Sequence, residues 1–227
     1  MTLQEIAYYI LEPVKSFNIV DDEEIDIRMV KAWIKAKRAD ILKNKANSGQ
    51  DINLNNAQSI TYGLELKDTY TGTKSTTVYN CENGQDYSIY KSTEPLPNLL
   101  HYHGSPLVLE LTSEDKMHLP YSMVPFSQLR FSGNGRFTSS MIYGSIDVDK
   151  YVYFKVNDEF LTRPNFVIKG IFEDPTAVPG FDEENDQYPC SLDVIEAIKN
   201  SVFDKDFKIL LASSVLEDTE NSANDEG

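Results

Sequence analysis

The sequence has little of the material that several protein classes require. Its 227 residues include only two cysteines, Cys81 and Cys190, and no C-x-x-C pair, which excludes a disulfide scaffold and argues against structural zinc or a thiol redox motif. The longest apolar runs, such as residues 6–11, fall far short of the roughly 20 residues that span a bilayer. The first residues also lack the basic and apolar regions of a signal peptide. We therefore expect a soluble, unprocessed protein with no membrane partner, made in a reducing compartment.

Positive charge is scarce as well. The chain has 21 Lys and Arg against 36 Asp and Glu, a formal charge of −15 at pH 7. Non-specific nucleic-acid binding depends on cations that neutralise phosphates, so this balance argues against it. The hydrophobic share of 41% and the charged share of 25% are ordinary for a globular protein. The length allows one large domain or two small ones with a proper core.

Helical periodicity dominates the start of the chain. Leu3, Ile6, Ala7, Ile10 and Leu11 form one apolar stripe, and we expect the proline at position 13 to end this helix. An acidic linker at residues 20–24 precedes a second helix, for which Asp26 is a suitable N-cap. The apolar positions of this second helix, with two residues that widen its buried face, are Ile27, Val30, Ile34, Ile41, Leu42, Trp33 and Ala36.

The opposite face of the second helix is basic. It carries Lys31, Lys35, Lys37, Arg38, Lys43 and Lys45. Such a face is either simply solvated or a docking face for an acidic neighbouring subunit. Charge reversal of Lys31, Lys35 and Arg38 would separate these two interpretations.

From about Ile60 the apolar period changes to two, which predicts an antiparallel β region. Ile60, Tyr62, Leu64 and Leu66 alternate with polar residues. Further strands are predicted at 76–81, 87–91, 107–112, 141–147, 151–156 and 165–171, with turns at 132–135 and 156–159.

The helical period returns near the end. Ser191 can cap a helix with apolar Leu192, Ile195, Ile198 and Val202, and Asp204 or Asp206 can open a short last helix through 207–211. Residues 217–227 are acidic, without Lys, Arg or an apolar pattern, so they are disordered or ordered only by a partner.

The expected fold class is α+β, with terminal helices that form a small bundle and a central antiparallel β-sandwich or barrel-like lobe. The predicted divisions are an N-terminal helical part at 1–58, the β region at 59–175, C-terminal helices packing on the N-terminal helices at 176–216, and an acidic tail at 217–227.

Catalytic and metal-binding patterns are weak. His101 and His103 would lie on the same side of a strand, with His118 as a third possible ligand, but no fourth ligand stands at a recognisable spacing. The acid pairs Asp147 with Asp149 and Glu173 with Asp174 would serve a glycosidase only within a cleft. The Gly-rich segment at 132–135 lacks the Walker pattern, and neither cysteine has a local catalytic signature. We predict no enzyme activity, no catalytic, cofactor-binding or metal-binding residue and no cofactor.

Several segments, taken in order, resemble a structural protein family of crAss-like phages and related short-tailed phages of Bacteroidetes. They include an opening helix, an acidic turn and an Arg-x-x-x-x-Trp-Ile helix, and they cover most of the chain. The matching segments are 2–8, 21–25, 28–34, 38–42, 78–81 with Tyr87, 94–97, 151–157, 170–175 and 205–208 with the acidic tail.

The resemblance implies a virion protein of the portal and tail vertex, a head-to-tail connector that forms a ring around the DNA conduit. Its expected partners are other copies of itself, twelve in the ring, the portal protein and neighbouring ring or tail proteins. DNA would pass through without sequence-specific binding, and assembly would take place in the host cytoplasm. The alternatives are a tail fibre or receptor-binding module and a tail-associated glycan hydrolase. The tail at 217–227 could order across the basic helix face of a neighbour, in which case truncation before Glu217 weakens assembly.

Overall fold

The first helix, α1 (Leu3–Ser16), begins with a reciprocal capping box. The Glu5 amide donates to the Thr2 hydroxyl oxygen at 3.2 Å, and the Thr2 amide donates to the Glu5 carboxylate at 2.9 Å. All five residues of the predicted apolar stripe are buried. The expectation that Pro13 ends this helix is wrong, because the helix continues to Ser16. A proline removes one backbone donor, while the amides that follow it can still bond to the preceding turn.

The structure is a computed structural model that describes residues 1–16, 27–70, 87–114, 121–133, 138, 141–156 and 165–202. Several predictions lie outside these residues: the acidic linker and Asp26, the strand at 76–81 with Cys81, His118, the ends of the turns at 132–135 and 156–159, the last helix at 207–211 with Asp204 and Asp206, and the tail at 217–227.

The second helix, α2 (Ile27–Asn47), buries every fourth residue. Its buried row is Val30, Ile34, Arg38, Leu42 and Ala46. Trp33 and Ile41 are only half-buried, and Ala36 is exposed. The buried face of α2 is therefore narrower than the sequence predicts. The helix ends at Asn47, and Gly49 just after it has a φ of +68°, the left-handed conformation that glycine adopts without strain.

The helix α4 (Leu192–Ser201) starts after Ser191 as predicted. The Ser191 hydroxyl makes no capping hydrogen bond, since it faces the side chain of Asn56. Leu192 is exposed, which corrects its assignment to the core, and Val194 is buried beside Ile195 and Ile198. A helix buries one stripe, and Leu192 lies off the stripe that these three residues define.

The β region of the described residues contains nine strands. In chain order they are β1 (Gln58–Tyr70), β2 (Tyr87–Ser92), β3 (His101–Tyr102), β4 (Ser105–Pro106), β5 (Val108–Ser113), β6 (Ser122–Met123), β7 (Tyr143–Ile146), β8 (Val152–Val156) and β9 (Asn165–Gly170). Seven of them form one mostly antiparallel sheet in the order β5-β9-β1-β2-β8-β7-β6, and β3 and β4 form a separate hairpin. The parallel pair in the large sheet is β6 with β7. A short helix, α3 (Phe126–Leu129), follows β6.

The sheet curls into a nearly closed barrel. The Tyr121 amide donates to the Leu111 carbonyl of β5, and the Ser122 amide donates to the Ile142 carbonyl beside β7, so the two outer strands come close together. Of the two arrangements predicted, the barrel-like one is confirmed. Its interior is aromatic, with the rings of Phe154 and Phe166 4.8 Å apart.

The chain divides into two compact units. The helical unit comprises residues 1–56, 174–176 and 180–227, and the sheet unit comprises 57–173 and 177–179. Helices at both ends of the described chain and a central sheet give the α+β fold class with terminal helices, as predicted.

Within the described ranges, no helix combines the length and apolar character needed to cross a membrane.

Candidate interaction surfaces

Three of the five lysines of α2, Lys31, Lys35 and Lys45, are bonded within the helical unit. Lys31 Nζ lies 3.1 Å from one carboxylate oxygen of Glu183, and Lys35 Nζ lies 3.4 Å from the other. Lys35 also donates to the Thr176 hydroxyl at 2.9 Å, and Lys45 pairs with Asp193. These lysines hold the acidic 182–186 segment and the start of α4 against α2, so their charge is largely used inside the unit.

Arg38 does not belong to the basic face at all. It is fully buried, its Nε donates to the Pro189 carbonyl at 2.8 Å and its Nη2 donates to the Asn56 carbonyl at 2.8 Å. Its guanidinium carbon also lies 5.7 Å from the centre of the Tyr188 ring. The sequence-based placement of Arg38 on a solvated or docking face is therefore wrong, because Arg38 belongs to the buried row formed by every fourth residue of α2.

Asn56 extends this buried network. Its side-chain oxygen accepts from the Ser191 amide at 2.9 Å, and its amide nitrogen donates to the Asn53 carbonyl at 3.0 Å. Buried polar groups are tolerable only when they are bonded in this way. The network joins α2, the turn before β1 and the start of α4, so its role is to fix the helical unit.

The pKa shifts in this unit match its packing. Burial lowers the pKa of the Arg38 guanidinium and raises the pKa of the Tyr188 hydroxyl. Burial also raises the pKa of the Cys190 thiol to about 11, so this cysteine is a poor nucleophile near neutral pH. For Glu183, burial acts to raise the pKa, but the hydrogen bond from Lys31 and the charges of Lys35 and Lys31 outweigh it and lower the pKa.

The histidines do not share one face of a strand. Strand β3 ends at Tyr102, and His103 lies in the following turn with a φ of +47°. Both histidines are exposed. Among the described residues, no group of three His, Cys, Asp or Glu side chains is arranged to hold a metal ion.

The predicted acid pairs take part in turns. Asp149 accepts from the Tyr151 amide at 3.1 Å and from the Tyr153 hydroxyl at 2.7 Å. Asp174 accepts from both the amide and the hydroxyl of Thr176. These hydrogen bonds place the carboxylates of Asp149 and Asp174 in local turns. In the Gly-rich segment at 132–135, Gly133 lies in a turn with a φ of +78°.

A different surface stands out on the sheet unit. Phe126, Phe131 and Met141 are exposed, by 40%, 70% and 43%. The Phe126 ring contacts Tyr153 and the Met141 sulfur lies near the Tyr143 hydroxyl, and both tyrosines belong with Leu129 to one buried cluster. Sequence reasoning missed this surface, which we call the Phe131 surface. Phe126 and Phe131 lie on the short helix α3 and the turn after it, where no periodic pattern is long enough to be read.

Comparison with known proteins agrees with a structural role. No curated protein matches the chain. The model of one family, described as phage tail ring protein 2 of crAss-like phages, matches residues 5–226, which is nearly the whole sequence. The chain therefore belongs to the phage tail ring protein 2 family and is a structural ring protein of the phage tail.

Proposed function

We propose that this protein forms a homo-oligomeric ring at the portal–tail vertex, where it connects head to tail and lines the DNA conduit. The observation that carries the proposal is the match to a ring protein family over residues 5–226. The family accounts for self-association and for contact with neighbouring tail proteins. The position at the vertex, the twelve copies, the contact with the portal and assembly in the host cytoplasm are our proposals.

The net charge supports the conduit role. A channel for DNA has to let phosphates pass, and a chain with a charge of −15 repels them more than it holds them. We expect no sequence-specific contact with DNA. We also propose that the protein has no enzyme activity, since the acid pairs and Cys190 serve turns and packing.

The particle itself provides the first test. Peptide mass spectrometry on gradient-purified phage particles would scale the copy number of this chain to the portal and major capsid proteins. We expect a ratio to the portal of one or a small whole multiple, as a vertex ring requires. A ratio that matches trimeric fibres would favour the receptor-binding alternative, and absence from particles would refute the structural proposal.

A second test addresses the conduit. Fluorescence anisotropy of a labelled DNA duplex mixed with the purified full chain, at about physiological salt, should show no binding at micromolar protein. Non-specific DNA-binding proteins reach dissociation constants of about 10⁻⁴ to 10⁻⁶ M under these conditions. Micromolar affinity would contradict a lumen along which DNA slides.

A further inference from the structure

The Phe131 surface combines exposed apolar side chains with a firm support. The Phe126 ring lies 5.1 Å from the ring of Tyr153, and the Tyr143 hydroxyl lies 3.6 Å from the Met141 sulfur. Tyr143 and Tyr153 belong to one buried cluster. Phe126 and Met141 are therefore anchored on a packed base, which reduces the conformational entropy that binding would remove.

A buried lysine holds the turn that presents Phe131. Lys155 on β8 is 4% exposed, and its Nζ donates to the carbonyls of Arg130 and Ser132 at 2.9 and 2.7 Å. These two carbonyls flank Phe131 in sequence. Burying an ammonium group is unfavourable unless it is hydrogen-bonded, and these two bonds hold the backbone on both sides of Phe131, whose side chain is 70% exposed.

The part of the sequence that carries this surface differs in charge from the rest of the chain. Residues 116–146 contain no Asp or Glu, the longest such stretch in a sequence with 36 acids. The Arg130 guanidinium carbon lies 5.7 Å from the centre of the Phe131 ring. The carboxylate of Asp149, which accepts a hydrogen bond from the Tyr153 hydroxyl, follows this stretch. Among the described residues, the surface is thus apolar with Arg130 at Phe131 and a bonded carboxylate at Tyr153.

We infer that the Phe131 surface is the contact through which each copy binds the next copy in the ring, against an acidic surface of that second copy. Phenylalanine, methionine and arginine are the residue types enriched in interface cores. Contact between two acidic chains is opposed by repulsion, and the positive charge of Arg130 beside Phe131 reduces that repulsion at this surface. A closed ring needs a heterologous contact, in which this surface meets a different one. The inference rests on the self-association proposed above and adds the residues responsible.

Phe131→Glu in the full chain is the principal test, read by native mass spectrometry and analytical ultracentrifugation over a range of concentrations. We expect the concentration for half-assembly to rise by about tenfold or more, as for a central interface residue. Arg130→Glu should act in the same direction, because it opposes an acidic neighbour. Leu192→Glu is the matched control, since Leu192 is 68% exposed, and it should leave assembly unchanged.

The outcomes separate this inference from the proposed function. If wild type assembles and Phe131→Glu assembles at the same concentration, this surface is not the contact, while the ring proposal stands. If wild type stays monomeric at all concentrations, self-association in isolation fails, and this inference falls with it. Circular dichroism and thermal unfolding of each variant would show that a loss of assembly is not a loss of folding.

A cross-link identifies the occupant directly. A photoreactive benzoylphenylalanine at position 131, with a matched substitution at position 192, would be activated in the assembled protein and in particles. We expect position 131 to give a product of twice the chain mass whose peptides come from this chain alone. A product with another tail protein, and none with this chain, would overturn the assignment to a second copy.

Discussion

The basic residues of α2 in the helical unit and the apolar residues of the Phe131 surface in the sheet unit differ in how far they are available to a partner. On α2, three of the lysines that suggest a docking face, Lys31, Lys35 and Lys45, are bonded to Glu183 or Asp193 of the same unit, and Arg38 is buried. On the sheet unit, Phe126 and Met141 contact a packed cluster and, like Phe131, remain exposed. A basic helix face is therefore a poor guide to the subunit contact here, and an apolar surface in an acid-free stretch is the better candidate.

The largest effect on stability is expected in the helical unit, from a substitution of the buried Arg38. Arg38→Met keeps much of the apolar stem but leaves the Pro189 and Asn56 carbonyls without a charged donor. We expect a loss of about 3 kcal/mol or more in the free energy of unfolding, measured by urea denaturation. Lys43→Met, at an exposed position of the same helix, is the control and should change it by less than about 0.5 kcal/mol. Equal effects of the two variants would contradict the buried role of Arg38.

The next effect tests the packing of the barrel. Gly144→Ala would place a Cβ atom 2.6 Å from a methyl carbon of Leu111 and 3.2 Å from the Phe154 ring. Overpacking of this kind costs about 1–3 kcal/mol, and a thermal melt should report it. Gly63→Ala is the milder comparison, because its nearest contact would be a Thr93 methyl carbon at 3.3 Å. A Gly144→Ala variant as stable as wild type would show that β7 packs less closely against Leu111 of β5 than described.

A smaller effect concerns the ion pairs of α2. The lysines lower the pKa of Glu183 below its ordinary value of 4.5, so the contribution to stability is present above about pH 4.5 and is lost as the pH falls through the folded-state pKa. Glu183 is 36% exposed, and solvent screening keeps the contribution below about 1 kcal/mol. Unfolding curves between pH 7 and pH 3 should fall less steeply for Glu183→Gln than for wild type. If stability falls equally with pH in wild type and in Glu183→Gln, these ion pairs do not contribute to stability.

The smallest effect on stability is expected in the sheet unit, where the exposed Phe131 contrasts with the buried Arg38. Phe131→Glu changes a side chain that is 70% exposed, so we expect the free energy of unfolding of the monomer to change by no more than about 0.5 kcal/mol. The measurement is urea denaturation at a concentration below assembly. A loss of several kcal/mol would make Phe131 a core residue and would remove the basis for a docking role.

Sequence patterns were most informative where one period runs over many residues. The stripe of α1 and the alternation at Ile60 and Tyr62 are confirmed by burial, since a helix or strand with one buried face imposes its period on the sequence. The same reasoning failed at Leu192 and Arg38, where polarity suggested the wrong side. Which row of a helix is buried depends on the partner that covers it, and a charged residue can lie in that row when carbonyls reach it.

The amino-acid sequence by itself determined the α+β class, the approximate bounds of the helices and strands, the acidic charge and the resemblance to a phage ring family. These properties depend on local periodicity, composition and residue order. Only the tertiary structure decided that the strands form one curled sheet, that Arg38 is buried and that Phe131 is exposed. Those outcomes depend on contacts between residues far apart in the chain, such as Arg38 with Pro189 and Lys155 with the turn at Phe131, which no local pattern specifies.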